Sequence, residues 1–278
     1  MKLVASGRTH VGRKREHNED QLLVGDTLSL YVVCDGMGGH KAGDIASALA
    51  IKSIDNFFAA TADNFEDPQP EGLKNLRSAR RLRAAVEKSN RDVHQISSHY
   101  PQHKGMGSTV VGFCVDEKEK LLHVAHVGDS RCYRLRDGAL EQLTRDHSLV
   151  NDVRALQNKG ANVKLANLPK NVITRALGMK ATVEVDLRTE QIREGDIYIL
   201  CSDGLTGMVT DEQMAEVFLI EEGVEGACDI LIDMANEAGG TDNITVIIVK
   251  IEGELCSKCS AVMIEGSAFC GHCGQRAG

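Results

Sequence analysis

Four acids at the margins of apolar, β-branched runs constrain this chain more than any other feature. In VVCDGMGGHKAGD (residues 32–44) a run built for a core meets Asp35, and four glycines crowd the next eight positions. Asp129 follows LLHVAHVG, Asp203 follows IYILCS, and Asp242 immediately precedes NITVIIV. One such Asp reads as a turn or cap residue. Four beside Gly-rich turns ask for more, because carboxylates gathered in space repel and are forced to protonate unless a cation stands among them. Oxygen-only ligation by carboxylates, water and a backbone carbonyl suits hard ions such as Mg²⁺ and Mn²⁺. On this reading the strand stops on Asp35 to aim its carboxylate rigidly. Gly36 is bare so that its carbonyl can reach the same metal.

Strand-like runs recur at 30–34, 108–115, 121–127, 196–201 and 243–251. RCYRLRDGALEQL (131–143) predicts a hairpin turning on Asp137-Gly138. Helical periodicity covers AGDIASALAIKSIDNFF, the Leu73–Ile96 stretch, DEQMAEVF with Thr210 as its N-cap, and GACDILIDMANEAG. The Arg77, Arg80, Arg81 and Arg83 cluster reads as the solvated face of an amphipathic helix. The net charge of −8 over 278 residues argues against a nucleic-acid binder, and no apolar run has the length of a membrane span. No signal-peptide pattern opens the chain, so the expectation is a soluble cytoplasmic protein that engages neither membrane nor nucleic acid.

Five of the nine cysteines lie mostly inside apolar runs, as free thiols in a reducing compartment do. The other four, Cys256, Cys259, Cys270 and Cys273, have the spacing C-x2-C-x10-C-x2-C. That spacing brings four thiolates within reach of one tetrahedral structural Zn²⁺ and looks like a small zinc ribbon. A redox dithiol pair or a disulfide is the competing reading. CGHCGQR also contains C-x5-R, the spacing of tyrosine-phosphatase loops, but those lie between a strand and a helix rather than in a polar tail. No G-x-x-x-x-G-K-[ST] phosphate loop is present.

Eight segments together resemble the bacterial metal-dependent Ser/Thr protein phosphatases of type 2C: GRKREHNEDQ, CDGMGGHKAGD, GMGSTVVG, AHVGDSRCYRLRDG, LTRDHSLV, NVITRALG, LCSDGLTGMVTDEQ and GGTDNITVIIV. They keep the family order over residues 4–251. The resemblance implies an α+β fold, a four-layer α-β-β-α sandwich with two central β-sheets, as a phosphatase domain over 1–251. The connector and zinc ribbon occupy 252–278. It implies two or three Mn²⁺ or Mg²⁺ ions. Asp35 bridges two of them, Asp203 and Asp242 complete the first, and Glu19 with the Gly36 carbonyl holds the second. Asp20 acts through water, and Asp129 with Asp203 holds a third.

Arg15 matches the arginine that grips the phosphoryl group, its planar fork suited to bidentate contact. A water activated by the ions then attacks phosphorus without a phospho-enzyme, and His40 is the candidate acid for the leaving alkoxide. Met37 stands where eukaryotic relatives carry a histidine, which leaves the identity of that acid open. Residues 148–172 match the flap beside the cleft. The implied partners are phosphorylated Ser/Thr proteins and a cognate Ser/Thr kinase. A pseudophosphatase that binds phosphoproteins without turnover is the alternative, disfavoured by the complete acid set. A two-metal phosphodiesterase or nuclease is disfavoured by the acidic balance.

Overall fold

The computed structural model describes residues 1–38, 42–68, 76–158, 169, 172–253, 258–259 and 267–276. Two antiparallel sheets organise them. The first holds β2 (Asp20–Gly25), β3 (Leu30–Met37), β5 (Val110–Asp116), β6 (Leu121–Val127) and β9 (Asp186–Gln191) in that order, with β4 (Gly107–Ser108) beside the end of β3. The second runs β1 (Lys2–His10), β11 (Ile244–Glu252), β10 (Ile197–Cys201), β7 (Arg131–Arg136), β8 (Ala139–Gln142).

Period-two alternation assigns each face. Leu30, Val32 and Cys34 of β3 pack outward on α1 (Ala42–Ala60) and α2 (Arg77–His99). Ala42, Ala46, Ala50, Ile54 and Phe58 recur every fourth residue of α1, so one helical stripe meets the sheet. Tyr31 and Val33 point the other way, against Tyr198 and Leu200 of β10 and Ile247 and Val249 of β11. Tyr31, Phe113 and Tyr198 lie in ring contact across this inter-sheet layer, with centroids 5.2 and 5.7 Å apart. Burying such side chains contributes roughly 1.5–3 kcal/mol each. Ile199, Cys201, Val246 and Ile248 cover the outer face of the second sheet and meet the short α4 (Asp203–Thr206), α5 (Asp211–Ile220) and α6 (Val224–Glu237). The result is the expected four-layer α-β-β-α sandwich. No helix among the described residues is long and apolar enough to cross a membrane.

The local signals at Thr210 and Asp137-Gly138 act as their chemistry dictates. Thr210 and Gln213 form a reciprocal capping box on α5. Asp137 and Gly138 both have positive φ (51° and 77°), the type I′ turn that joins β7 to β8. Elsewhere the structure departs from the sequence reading. β3 does not stop on Asp35. It continues to Met37, paired with β4 through Gly36↔Ser108 and Met37↔Gly107. Strands β1, β2 and β9 were not expected. The flap segment begins as a helix, α3 (Leu149–Asn158), and its residues 159–168 and 170–171 lie outside the described ones.

Of the four clustered arginines of α2, Arg77 and Arg83 face solvent as expected, but Arg77, Arg80 and Arg81 also act as tethers. Arg77 donates to Phe65 O (2.9 Å), Arg80 pairs with Asp67, and Arg81 donates to Phe58 O while its guanidinium lies 4.2 Å over the Phe58 ring. Together they fasten the end of α1 and the loop after it. Arg77 and Arg83 are exposed, and Arg80 and Arg81 are partly buried.

Candidate active site

The inter-sheet layer changes character at one end because its apolar rows continue into polar residues of the same parity. Asp20 extends the row of Leu22 and Val24, and Asp35 that of Tyr31 and Val33; the two acids face each other in the β2–β3 register. Ser202 follows Tyr198 and Leu200, Asn243 and Thr245 precede Ile247, and Thr109 precedes Val111. A row that is apolar in the middle and polar at its end is a sheet-built pocket floor.

Hydroxyls hold the carboxylates in place. Asp20 Oδ2 accepts from Ser202 Oγ (2.8 Å) and Thr245 Oγ1 (2.7 Å), which joins β2 to the end of β10 and to β11 in the opposite sheet. The Asp35 backbone is fixed from three sides. Its N–H donates to Thr109 Oγ1 (3.0 Å), and its carbonyl accepts from Ser108 Oγ (3.0 Å) and Thr109 N–H (2.8 Å). Thr109 Oγ1 in turn meets Ser130 Oγ at 2.7 Å. Glu19 is set by its own main chain. Its N–H donates to Asn243 Oδ1 (2.8 Å), and its carbonyl accepts from Gly36 N–H (3.1 Å) and Ser47 Oγ (2.6 Å).

Two glycines of DGMGGHKAG, Gly36 and Gly43, are explained by close approach. A Cβ on Gly36 would stand 2.0 Å from the Gly43 carbonyl oxygen, and one on Gly43 would stand 2.6 Å from the Glu19 carboxyl carbon. Bare backbone lets the first turn of α1 press against β3 and lets the Gly43 N–H donate to the Glu19 carboxylate.

The electrostatics are those of crowded acids. Removal from water, then the charges of Asp20, Asp203, Asp129 and Asp242, holds the Asp35 carboxyl well above the usual range. Burial pushes Asp20 up to about 7 against the hydroxyl bonds that lower it, and pushes Asp129 up to about 7 with Asp203 adding to it. Asp203 is raised by burial and by Asp242, and Glu19 by burial and by Asp44. Asp20 Oδ1, Asp129 Oδ1 and Asp203 Oδ1 are buried with no hydrogen-bond partner among the described residues. Buried oxygens without donors, among carboxylates that raise one another, fit hard divalent cations.

Arg15 is the nearby cation, half-exposed, with Nη2 donating to Asp242 Oδ2 at 2.8 Å. Its loop is pinned at Gly240 O, which accepts from Arg13 N–H (2.7 Å) and Lys14 N–H (3.2 Å), and by Asn243 Nδ2, which donates to Val11 O and His17 O. The structure thus brings Glu19, Asp20, Asp35, Gly36, Asp129, Asp203, Asp242 and Arg15 to one end of the sandwich. His40 and Cys256 lie outside the described residues. Cys259, Cys270 and Cys273 form a separate cluster, their Sγ atoms within 4.8 Å of one another, with the His272 N–H donating to Cys270 Sγ at 3.4 Å. Ser202, Thr245, Asn243, Thr109 and Ser130 are supporting residues that the sequence reading missed. Extending each strand's period-two row by one or two positions would have found them.

Comparison with known proteins agrees with this geometry. A family model described as Protein phosphatase 2C matches residues 6–233. The serine/threonine phosphatase stp of Listeria monocytogenes is 34% identical over 249 residues, covering 88% of this chain and 95% of that protein. The Mycobacterium tuberculosis serine/threonine phosphatase PstP/Ppp superposes with a TM-score of 0.75 at 34% identity, over 91% of this chain and 100% of that one. A structure of the PstP catalytic domain in complex with two manganese ions gives a TM-score of 0.73 at 34% identity, over 90% and 98%.

Proposed function

Because the chain belongs to the protein phosphatase 2C family, we propose that the acid-lined end of its sandwich is where phosphate is removed from serine and threonine. The chain is a metal-dependent protein serine/threonine phosphatase whose substrates are phosphoproteins. The observation that carries the assignment to this site is the set of three buried carboxylate oxygens, on Asp20, Asp129 and Asp203, without a partner among the described residues.

Asp35, Asp203 and Asp242 would hold one Mn²⁺ or Mg²⁺ ion, Asp35 with Glu19 and the Gly36 carbonyl a second, and Asp129 with Asp203 a third. When bound, such ions supply Lewis acidity and activate the attacking water. Asp20, fixed by Ser202 and Thr245, orients water toward the site. Arg15 receives the phosphoryl group, and its guanidinium neutralises charge that spreads over the phosphoryl oxygens. His40 gives the proton that the departing serine or threonine alkoxide needs. No protein nucleophile takes part. Burial pushes the thiols of Cys34, Cys132 and Cys201 up, away from the reactive thiolate.

The C-terminal cysteines, Cys256 with Cys259, Cys270 and Cys273, would hold one structural Zn²⁺. The phosphatase domain is 1–251, and 252–278 is a connector and ribbon that docks partners. A Ser/Thr kinase acting on the same proteins completes the cycle. The test is phosphate release from a phosphothreonine peptide with Mn²⁺. Asp35→Asn and Asp203→Asn should each lower turnover by several orders of magnitude with the fold intact by circular dichroism. Near-normal turnover in either variant would remove the two-ion assignment.

A further inference from the structure

Outside the residues assigned to the ions, His126, His147 and Asp186 present ligand-type atoms within 4.8 Å of one another. Their geometry excludes a shared cation. The two imidazoles stack with centroids 4.6 Å apart and 16° between planes. An ion bound by a ring nitrogen lies in the plane of that ring, and two near-parallel planes have no common point between them. Arg175 supplies the positive charge instead, with Nη1 donating to Asp186 Oδ1 (2.6 Å) and Nη2 to Glu184 Oε2 (3.1 Å).

The bonds of His147 lead elsewhere. Its backbone N–H donates to the Gly128 carbonyl (2.9 Å), and its Nδ1 accepts the Gly128 N–H (3.0 Å). Nδ1 therefore carries no proton. Nε2 carries it and lies between Asp186 Oδ2 (3.4 Å), the only one of its two neighbours that can accept that proton, and Arg175 Nη1 (3.1 Å). One buried residue thus holds both polar groups of Gly128, the carbonyl through its backbone and the N–H through its ring, and that ring is held by Asp186 and by the His126 stack.

Gly128 needs holding. Its φ is +116°, and a Cβ there would meet the Thr109 side chain at 2.7 Å. Glycine reaches that region without steric cost, but its wide conformational freedom leaves the turn to be fixed by the hydrogen bonds around it. The next residue is Asp129, whose Oδ1 is buried and without a partner among the described residues.

We propose that His147, braced by Asp186 and Arg175, is a positioning residue that fixes the Gly128–Asp129 turn so that the Asp129 carboxylate faces the ion site. This rests on the assignment of Asp129 to an ion. Removing a partner that orients a ligating group typically costs about 10–100-fold in metal affinity or activity.

A double-mutant cycle tests it, with Mn²⁺ binding measured by titration calorimetry beside peptide turnover. His147→Ala should weaken the weakest Mn²⁺ step about tenfold and lower kcat with little change in KM. His147→Asn, whose side-chain oxygen can accept the Gly128 N–H, should recover most of both. In an Asp129→Asn background, His147→Ala should add nothing further, because its effect passes through that carboxylate. Additive losses, or wild-type Mn²⁺ binding in His147→Ala, would overturn the proposal. Should His147→Ala fail to fold, Arg175→Gln loosens the same brace from its exposed side and should weaken the same Mn²⁺ step; unchanged binding there would overturn it as well. If Asp129→Asn itself binds Mn²⁺ and turns over normally, the assignment of Asp129 has failed rather than the brace.

Discussion

Asp129 shows what a single residue contributes here. Burial and the Asp203 charge push its carboxyl up to about 7, from an ordinary value near 3.8. A carboxyl raised in the folded state favours folding when protonated. Its contribution is full below the unfolded value and is lost as pH rises through about 7, at up to about 1.4 kcal/mol per pH unit. Asp20, Asp35 and Asp203 tilt the same way, while His126 and His147, held low by burial, tilt the curve oppositely below about 6.5. Thermal melts of chelator-treated protein at pH 5.5 and 7.5, wild type against Asp129→Asn, isolate the Asp129 share. The wild type should lose more stability than the variant on going to pH 7.5, and added Mn²⁺ should stabilise it more at 7.5 than at 5.5. A wild type that tracks the variant at both pH values would mean that Asp129 ionises freely. The acids themselves were legible in sequence, because a charge beside a β-branched run has few innocent explanations. Their supports were not, since Ser202 and Thr245 look like ordinary strand residues until a register puts both on one carboxylate.

At the scale of elements, Asp20 works as a clamp between sheets. It sits on β2, and its donors stand after β10 and in β11 of the opposite sheet. Ser202→Ala with Thr245→Val would leave a buried carboxylate with neither hydroxyl, a loss of roughly 1–3 kcal/mol for each. Urea unfolding should show it, and the pair should cost less than the sum of the singles because both serve one group. A combined loss under about 0.5 kcal/mol would mean that Asp20 is placed by its backbone alone. Strands with apolar alternation were readable for the same reason that they are stable. β9 was not, because its sequence DLRTEQ is charged. Arg188 and Glu190 bond each other at 2.5 Å and reach Glu141 and Arg134, so ion pairs do at this edge what apolar packing does in the middle. Arg81 of α2 misled in the opposite direction: composition alone does not distinguish a solvated guanidinium from one that caps a carbonyl of a neighbouring helix.

For the whole molecule, the position of β11 separates catalysis from the cysteine tail. Asp242 stands two residues before its first residue and the tail follows its last, so nine residues of strand, about 27 Å at about 3.4 Å per step, lie between them. β1 pairs with β11 from Lys2↔Glu252 to His10↔Ile244, and β10 flanks its other side, so the strand is complete without anything beyond it. A structural Zn²⁺ site supplies on the order of 10–16 kcal/mol of apparent binding energy, enough for a short segment to fold around its metal. A tail rooted at the far end of the sandwich can meet a bound phosphoprotein without entering the pocket. Cutting the chain after Glu254 should therefore leave hydrolysis of a small aryl phosphate largely unchanged. It should raise KM for the native phosphoprotein on the order of tenfold or more, as expected when a second contact is removed. Zinc analysis of the full-length protein should give one equivalent, absent from the truncated form. Loss of aryl phosphate turnover in a folded truncated protein would make the tail part of the catalytic unit, and zinc-free full-length protein with reduced thiols would remove the ribbon assignment.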